Sequence, residues 1–524
     1  MTVNRLRVLV VLLCLMGSAS ASAAPPSAQT SNPSTYTAYR ARAIAVSHAR
    51  NEKIIADNFF EAGNLEQAAK LYLHALAAAP EAFSFAEKKH IATRLVRANH
   101  RPDAVIILQQ LLIEAKSNLP AKLEIVKILA ALPQNSAALA ELDAVLKQDS
   151  HNKYALLIKA DSLRRQKQFS ESILVYRRIL QQGHNFDASL GLVYSLLAVG
   201  AKADAKKQFK LIPVEDDAQQ EQLDELANTL NSRTRPTLDL LLNHYADSDE
   251  NSSLEHGVIV RVVTGNIDWV ADVRNKTASA DAEDTAATAD TYSLSATANV
   301  TDAVRVTGKY GRSTLTAERV ASFTTGLLKV AAQVGTGTVT INVAQDALSA
   351  TPTLISNAIQ VSKKAIELRQ PLTERLKANL AYADKNYSDD NASTDLRAAA
   401  YYAVYNGAPQ INLGAGYGRV HYKSPTTNGY SAPQNLLATK LMLTLYYESE
   451  RFYVDVNIEY GRESYEKNRV YKDNIFHYET AALGIKITRK LSVELSAERS
   501  NSSAAEGAET FDDSVASARL SYLF

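Results

Sequence analysis

Tyr453, Asp455, Asn457, Glu459 and Gly461 take alternate positions of one segment, and Phe452, Val454, Val456, Ile458 and Tyr460 fill the positions between them. A period of two places the first set on one face of a β-strand and the second on the other. Carboxylates beside phenol rings are groups for recognition. The ring stacks on the apolar face of a sugar, and the carboxylate accepts hydrogen bonds from its hydroxyls. Residues of the same kind recur on the polar faces of other segments: Asp268 and Asp272; Arg397, Tyr401 and Tyr405; Lys440 and Tyr446. Ion pairing between neighbouring strands is the alternative use of these charges, and Asp455, Glu459 and Lys440 fall on adjacent segments where it can occur.

Groups for bond-making chemistry do not assemble. The sequence has no His-Glu-x-x-His, no Gly-x-Ser-x-Gly and no phosphate loop, and its ten histidines lack ligand spacing. The one cysteine, Cys14, lies in a segment expected to be removed, which excludes a disulfide, a zinc site and a thiol nucleophile from the mature chain. A net charge of +1 gives no electrostatic grip on nucleic acid. The expectations are therefore no enzyme, no cofactor, no metal and no nucleic-acid partner. Asp247-Ser248-Asp249-Glu250 reads as a solvated loop, with a divalent cation near lipopolysaccharide as the alternative.

The elements that carry these residues come in two kinds. Arg5 and Arg7, the apolar run Val8 to Met16 and the small-x-small pattern Ala21-Ser22-Ala23 predict a signal peptide over 1–23. A flexible leader rich in Pro, Ser, Thr and Ala is expected over 24–46. A helical domain is expected over 47–234, and within it, from about 49 to 213, a period near 34 residues governs, the spacing of tetratricopeptide repeats. Small residues let two helices approach, large ones fill the groove, and a breaker ends the second helix. The first copy shows Ala56, Phe59, Gly63, Ala68, Tyr72, Ala75 and Pro80; the fourth shows Ala160, Leu163, Ser172, Tyr176 and Ile179. Two further copies stay in phase, a fifth around Leu190, Leu197, Ala205 and Phe209 is degenerate, and a capping helix follows. Function in such arrays lies on the concave face. Asp57 and Asp161 share one repeat position, with Arg164 and Arg165 a turn later, so these four are candidates for contacting a polymer or protein; a solvated helix face is the alternative.

After Arg235-Pro236 the period becomes two. Segments start near 237, 254, 266, 291, 303, 321, 337, 355, 372, 394, 410, 436, 451, 475, 490 and 514, sixteen in all; the sixth and eighth alternate weakly around Lys329 and Lys363, and a merger there would leave fourteen. Connectors after odd segments are long and polar, such as Ser424 to Asn435, and those after even segments are tight, such as Thr264-Gly265-Asn266. This rhythm, ending on Tyr522-Leu523-Phe524, predicts an antiparallel transmembrane β-barrel over 236–524 in the outer membrane of a Gram-negative-type cell. An even count returns both ends to one side, as a periplasmic helical domain requires. Sixteen strands enclose more space than side chains can fill, so the bore is a water path or is plugged by loops.

The order of signal peptide, tetratricopeptide array and sixteen-stranded barrel resembles the outer-membrane exopolysaccharide porins, the poly-N-acetylglucosamine exporter and cellulose export subunit type. Arg235-Pro236-Thr237-Leu238-Asp239, then Tyr245-Ala246-Asp247-Ser248-Asp249, resembles their first strand and acidic loop. The resemblance implies a periplasmic solenoid that docks nascent glycan, or a synthase or glycan-modifying subunit, and a barrel set in outer-membrane lipids that exports the polysaccharide. The chain departs from that family in carrying about five repeats where those exporters carry many more. A second layout of the same kind, the surface lipoprotein assembly barrels, pairs a short periplasmic solenoid with about fourteen strands. A third possibility is a surface receptor anchored by a plugged barrel.

Overall fold

The computed structural model describes residues 33–132, 136–280, 285–373, 375–467, 470–501 and 512–524. The expected signal peptide and the first part of the leader lie outside the described residues. Contacts divide the chain into two compact units, Met1–Leu192 and Val193–Phe524. No helix among the described residues is long and apolar enough to cross a membrane.

Helices run in antiparallel series: α1 (Pro33–Glu61), α2 (Leu65–Ala78), α3 (Phe85–Arg97), α4 (Arg101–Glu114), α5 (Leu119–Ala130), α6 (Ser136–Gln148), α7 (Lys153–Arg165), α8 (Phe169–Gln181), α9 (Phe186–Ala198), α10 (Lys202–Phe209) and α11 (Asp217–Thr234). Helix already covers 33–46, where an irregular leader is expected. Ala38, Arg40, Ala41, Arg42, Ala43 and Ala45 are strong helix formers, and this turn-by-turn preference outweighs the low-complexity composition of the residues before them. Burial follows the repeat motif. Ala56, Ala68, Tyr72 and Ala75 of the first copy, and Ala160, Leu163, Ser172, Tyr176 and Ile179 of the fourth, are buried, as are Ala92, Leu95, Ala104, Leu108 and Leu111 between them. Gly63 turns the first hairpin with a φ of 80°, a backbone state that glycine adopts without strain. A Ser84–Glu87 capping box starts α3.

The sequence groups α10 and α11 with the repeats, through residue 234; in the structure they belong to the unit of the strands. Two contacts explain this. Lys202 at the start of α10 donates to Asp268 at 2.5 Å. Arg261 donates to the Arg233 carbonyl at 3.1 Å, satisfying one of the orphan acceptors at the end of α11.

The strands are β1 (Thr237–Asp247), β2 (Asn251–Thr264), β3 (Ile267–Ala280), β4 (Thr285–Asn299), β5 (Val304–Thr316), β6 (Val320–Val334), β7 (Gly337–Ala347), β8 (Gln360–Pro371), β9 (Leu376–Tyr387), β10 (Ala392–Asn406), β11 (Gln410–Tyr422), β12 (Gln434–Glu448), β13 (Phe452–Lys467), β14 (Val470–Lys486), β15 (Leu491–Ser500) and β16 (Asp513–Leu523). Each pairs antiparallel with its sequence neighbours, and β1 pairs with β16 from Thr237↔Leu523 to Asp247↔Asp513, closing the sixteen-stranded barrel. Closure leaves no edge strand.

One start differs. The eighth segment, expected near 355, begins at Gln360, because Pro352–Asn357 forms a short helix, α12, capped by the Thr351 hydroxyl. Its apolar residues mimic strand alternation but serve a different purpose, described below. Several long connectors are also shorter than their polar composition implies, since strands such as β3 and β4 keep pairing as far as Ala280↔Thr285.

Registers fix which face each residue takes, because directly paired residues share a side. One side carries Leu240, Val258, Val273, Leu294, Leu441, Ile458 and Leu495, all exposed and apolar. These positions are linked around the ladder, for example Leu240↔Val258↔Val273 and Leu443↔Ile458. The opposite face holds the ion pairs and is the wall of the bore. Lys329, paired with Asn342, and Lys363, paired with Ala344, both fall on that inner wall.

Candidate functional site

The bore brings three of the expected residues, Tyr446, Tyr453 and Asp455, into one patch. Tyr446 pairs directly with Asp455, and its ring lies 6.4 Å from that of Tyr453. Tyr446 donates to Glu448 at 2.7 Å, and Tyr453 bonds to Glu494 on the wall beyond. A turn outward, Lys440 and Glu459 form an ion pair at 2.5 Å, the cross-strand pairing that was the alternative reading for these two. Asp455 makes no ion pair among the described residues. With Thr480, Ser496, Glu498 and Ser517 it lines a polar recess of about 200 Å³.

Glycines shape this patch. Tyr453 pairs with Gly484 and Tyr401 with Gly414, and a Cβ at either glycine would overlap the facing ring. The rings therefore lie against the wall, with the other aromatic face turned to the bore. Alternate glycines at Gly414, Gly416 and Gly418 are the sequence signal that could have marked this smooth wall.

Other expected residues lie elsewhere. Tyr405 is not on the bore. A β-bulge between Ala403 and Tyr405 inserts Val404 as an extra residue, so Tyr405 pairs with Ile411 on the apolar outer face. Strict alternation from Tyr401 misses this single-residue slip. Arg397 reaches Asp395 at 2.6 Å on its own strand. Asp272 accepts from Arg274 at 2.9 Å, and Arg274 in turn donates to Glu255 at 3.1 Å. Asp268 is occupied by Lys202. These two aspartates sit on the wall of β3, within ion-pair networks, rather than with the tyrosine patch.

Three of the four solenoid candidates take part in hydrogen bonds within the repeats. Tyr72 donates to Asp57 at 2.5 Å, and Tyr176 donates to Asp161 at the same distance, so one hydrogen bond recurs in two repeats. Arg94 adds bonds to Asp57 at 2.8 Å and to the Tyr72 hydroxyl at 2.7 Å, and Arg164 reaches Tyr176 at 3.3 Å. Burial would push the Asp57 carboxyl up, but hydrogen bonds from Lys53 and Tyr72 and the charges of Lys53 and Arg94 outweigh it and hold it below its ordinary range. Burial, then the Asp57 carboxylate, pushes the Tyr72 hydroxyl well above the usual phenol range. Arg165 remains exposed.

Sequence reasoning did not find the strap 348–359 that carries α12. It lies inside the bore. Ile355 packs with Ala278, Ala287, Ala289 and Leu315, inward residues of β3, β4 and β5. Leu354 belongs to a buried cluster with Tyr430 and with Tyr387, Val420, Tyr422 and Tyr465 from β9, β11 and β13. The strap therefore touches both walls near the long-connector rim. Its base closes through a Leu348 N–H to Ile359 carbonyl bond at 2.9 Å, and Asn357 donates to the Asn428 carbonyl at 3.1 Å. Beside it, the Tyr387 and Tyr430 rings stack at 4.7 Å, and Tyr430 donates to Asp389 at 2.9 Å. Thr351-Pro352, a cap followed by a first-turn proline, was the available signal.

No protein-family model matches the chain, and no curated protein matches its sequence. Among solved structures it is similar to a bacterial polysaccharide outer-membrane secretin, at 9% identity and a TM-score of 0.45 over 56% of this chain and 99% of that one. It is also similar to CdiB from Acinetobacter baumannii, at 10% identity and a TM-score of 0.36 over 55% of this chain and 60% of that one. OccAB3 of Acinetobacter baumannii gives 8% identity and a TM-score of 0.34 over 55% and 98%. The barrel assignment itself stands on the closed ladder of this chain.

Proposed function

We propose that this chain is an outer-membrane conduit for export of an exopolysaccharide, with its helical repeats in the periplasm docking nascent glycan or a biosynthetic partner. The observation that carries the reading is a closed sixteen-stranded barrel with an apolar outer face and a tyrosine–carboxylate patch on its inner wall. The apolar face suits lipid, where a closed barrel leaves no backbone group unsatisfied. The flattened rings of Tyr453 and Tyr401 present aromatic faces to passing sugars, and Asp455 and Glu498 offer acceptors to hydroxyls. No covalent step is needed; passage requires only weak, repeated contacts.

Comparing surface and periplasmic polysaccharide in cells with and without the gene tests this. Retention of polymer in the periplasm of the deletion strain is expected, with partial loss of export in Tyr446→Ala and Asp455→Ala. Unchanged surface polysaccharide in the deletion strain rejects export.

The strap favours a second reading, a surface receptor whose plugged barrel is an anchor. That reading predicts no conductance across a planar bilayer by the parent, conductance only once residues 350–358 are replaced by a short glycine–serine link, and unchanged surface polysaccharide in the deletion strain.

A further inference from the structure

Charges on the inner wall are sorted by side. Across β5–β9 the inward positions carry Arg305, Lys309, Lys329, Lys363, Arg369 and Lys377, with Lys385 buried farther out. The carboxylates on those faces are Asp346 and Glu367, and Glu367 is bonded to Arg369 at 2.6 Å. Lys309, Lys329, Lys363 and Lys377 make no ion pair among the described residues. Across β13–β15 the balance reverses: Asp455, Glu459, Glu494 and Glu498 face inward, together with the buried Glu463. Lys472 and Lys486 are the inward cations described on those strands, and Lys486 lies 3.7 Å from Glu448, a carboxylate of β12. Lys440 of β12 pairs with Glu459, and Arg519 of β16 lies directly opposite Glu494, so Asp455 and Glu498 are the carboxylates of this arc without an ion pair among the described residues.

The two arcs are centred on β7 and β14, seven strands apart in a ring of sixteen, and so nearly face each other. Between them the wall is internally compensated. On β2 and β3, Arg274 and Lys276 share Glu255, Arg274 holds Asp272, and Asp268 is held by Lys202. Ladder chemistry alone would interleave the signs, since neighbouring opposite charges stabilise a sheet and like ones repel. Here the basic arc leaves four lysines without a carboxylate partner among the described residues, a placement that suits a wall facing water.

From this geometry we propose that the bore is a transverse-field filter, selecting cargo whose units bear an ammonium and an acidic group together over neutral cargo of the same size. The inference rests on the conduit reading and names the chemistry of what that conduit accepts. An ammonium turned to the β13–β15 carboxylates and an acidic group turned to the β5–β9 lysines are both favoured at once. A neutral solute gains from neither. Exposed charges are screened within about 8 Å at physiological salt and about 3 Å at 1 M, so the preference weakens as salt rises.

The test uses the full chain in planar bilayers and liposomes, with the strap replaced as above so that the path is open, and heat-modifiable migration on gels to show that each barrel is folded. The triple variant Lys309→Gln, Lys329→Gln, Lys377→Gln should raise the potassium-to-chloride permeability ratio roughly tenfold, in line with the effect of a focused field on local ion concentration. The pair Glu494→Gln, Glu498→Gln should lower it. γ-Aminobutyrate should enter liposomes faster than erythritol through the parent, and this preference should vanish in both variants and in 1 M salt. Should a multiple variant fail to fold, Lys329→Gln and Glu494→Gln singly must still move selectivity in opposite directions. Conductance with unchanged ion selectivity, or equal uptake of the two solutes by the parent, overturns the filter and leaves the conduit intact. Absence of conductance from the opened barrel overturns the conduit, and the filter with it.

Discussion

Asp57 and Asp161 show how a repeated acidic residue becomes structural when the fold supplies a donor. Each accepts a 2.5 Å bond from a buried tyrosine fifteen residues later, which ties the two helices of one repeat together. Tyr72→Phe should destabilise the repeats by about 1–3 kcal/mol, because it leaves Asp57 and Arg94 short of a partner in a half-buried place; chemical denaturation followed by far-UV circular dichroism measures it. The Asp57 carboxyl is held below its ordinary value of 3.8, so its stabilisation is complete above that pH and is lost as pH falls through the depressed value. Asp57→Asn should flatten the acid limb of the helical signal below about pH 4, and an unchanged acid limb would contradict the assignment. The bulge at Val404 makes a second prediction of this scale. In a background without Cys14, Tyr401→Cys should react with a water-soluble maleimide, whereas Tyr405→Cys should be protected by lipid or detergent and become reactive on unfolding.

Among the elements, the strap is expected to govern how far the bore is open, because its residues are buried among inward residues of the wall. Leu354 and Ile355 are both buried, against opposite walls, and each is an aliphatic contact of the kind that costs about 2–5 kcal/mol when cut to alanine. Leu354→Asp with Ile355→Asp should release the strap and raise single-channel conductance severalfold while leaving gel migration of the folded barrel unchanged. If conductance stays at the parent level, residues other than the strap occlude the path. The strands make a complementary claim about their outer face. Leu443→Arg places a charge on the apolar outer face and should cost about 2–4 kcal/mol in lipid, whereas Thr444→Arg, one residue away on the bore side, should cost far less. Equal costs would contradict a lipid-facing outer side, and a reversed order would mean that the faces have been exchanged.

At the scale of the whole molecule, closure is the event on which the rest depends. The β1–β16 seam joins residues almost three hundred positions apart; the Phe524 N–H donates to the Pro236 carbonyl at 3.1 Å, and the Tyr522 and Phe524 rings meet edge to face at 5.1 Å. Removing Phe524 should slow assembly into membranes, read as a smaller heat-modifiable fraction at early times. Full assembly at the parent rate would show that the last residue is dispensable for closure.

Two periodicities were legible in the chain because each is a property of neighbouring residues. A repeat near 34 positions put Ala56, Tyr72, Leu95 and Tyr176 in the helical core, and a repeat of two put Ile458 outside and Asp455 inside. Turn chemistry supplied the strand count by the same local logic. What the tertiary structure decided were the matters that depend on partners far away in sequence. Tyr405 faces outward because one extra residue slips the β10–β11 register. Asp268 is engaged because α10 delivers Lys202 to it. The apolar run Leu354-Ile355 is a strap and not a strand because two walls of the bore, up to about a hundred residues away, bury it from both sides. Periodicity reports which face a residue takes; only closure of the ring brings distant faces opposite one another, and with them the sorted charges of the bore.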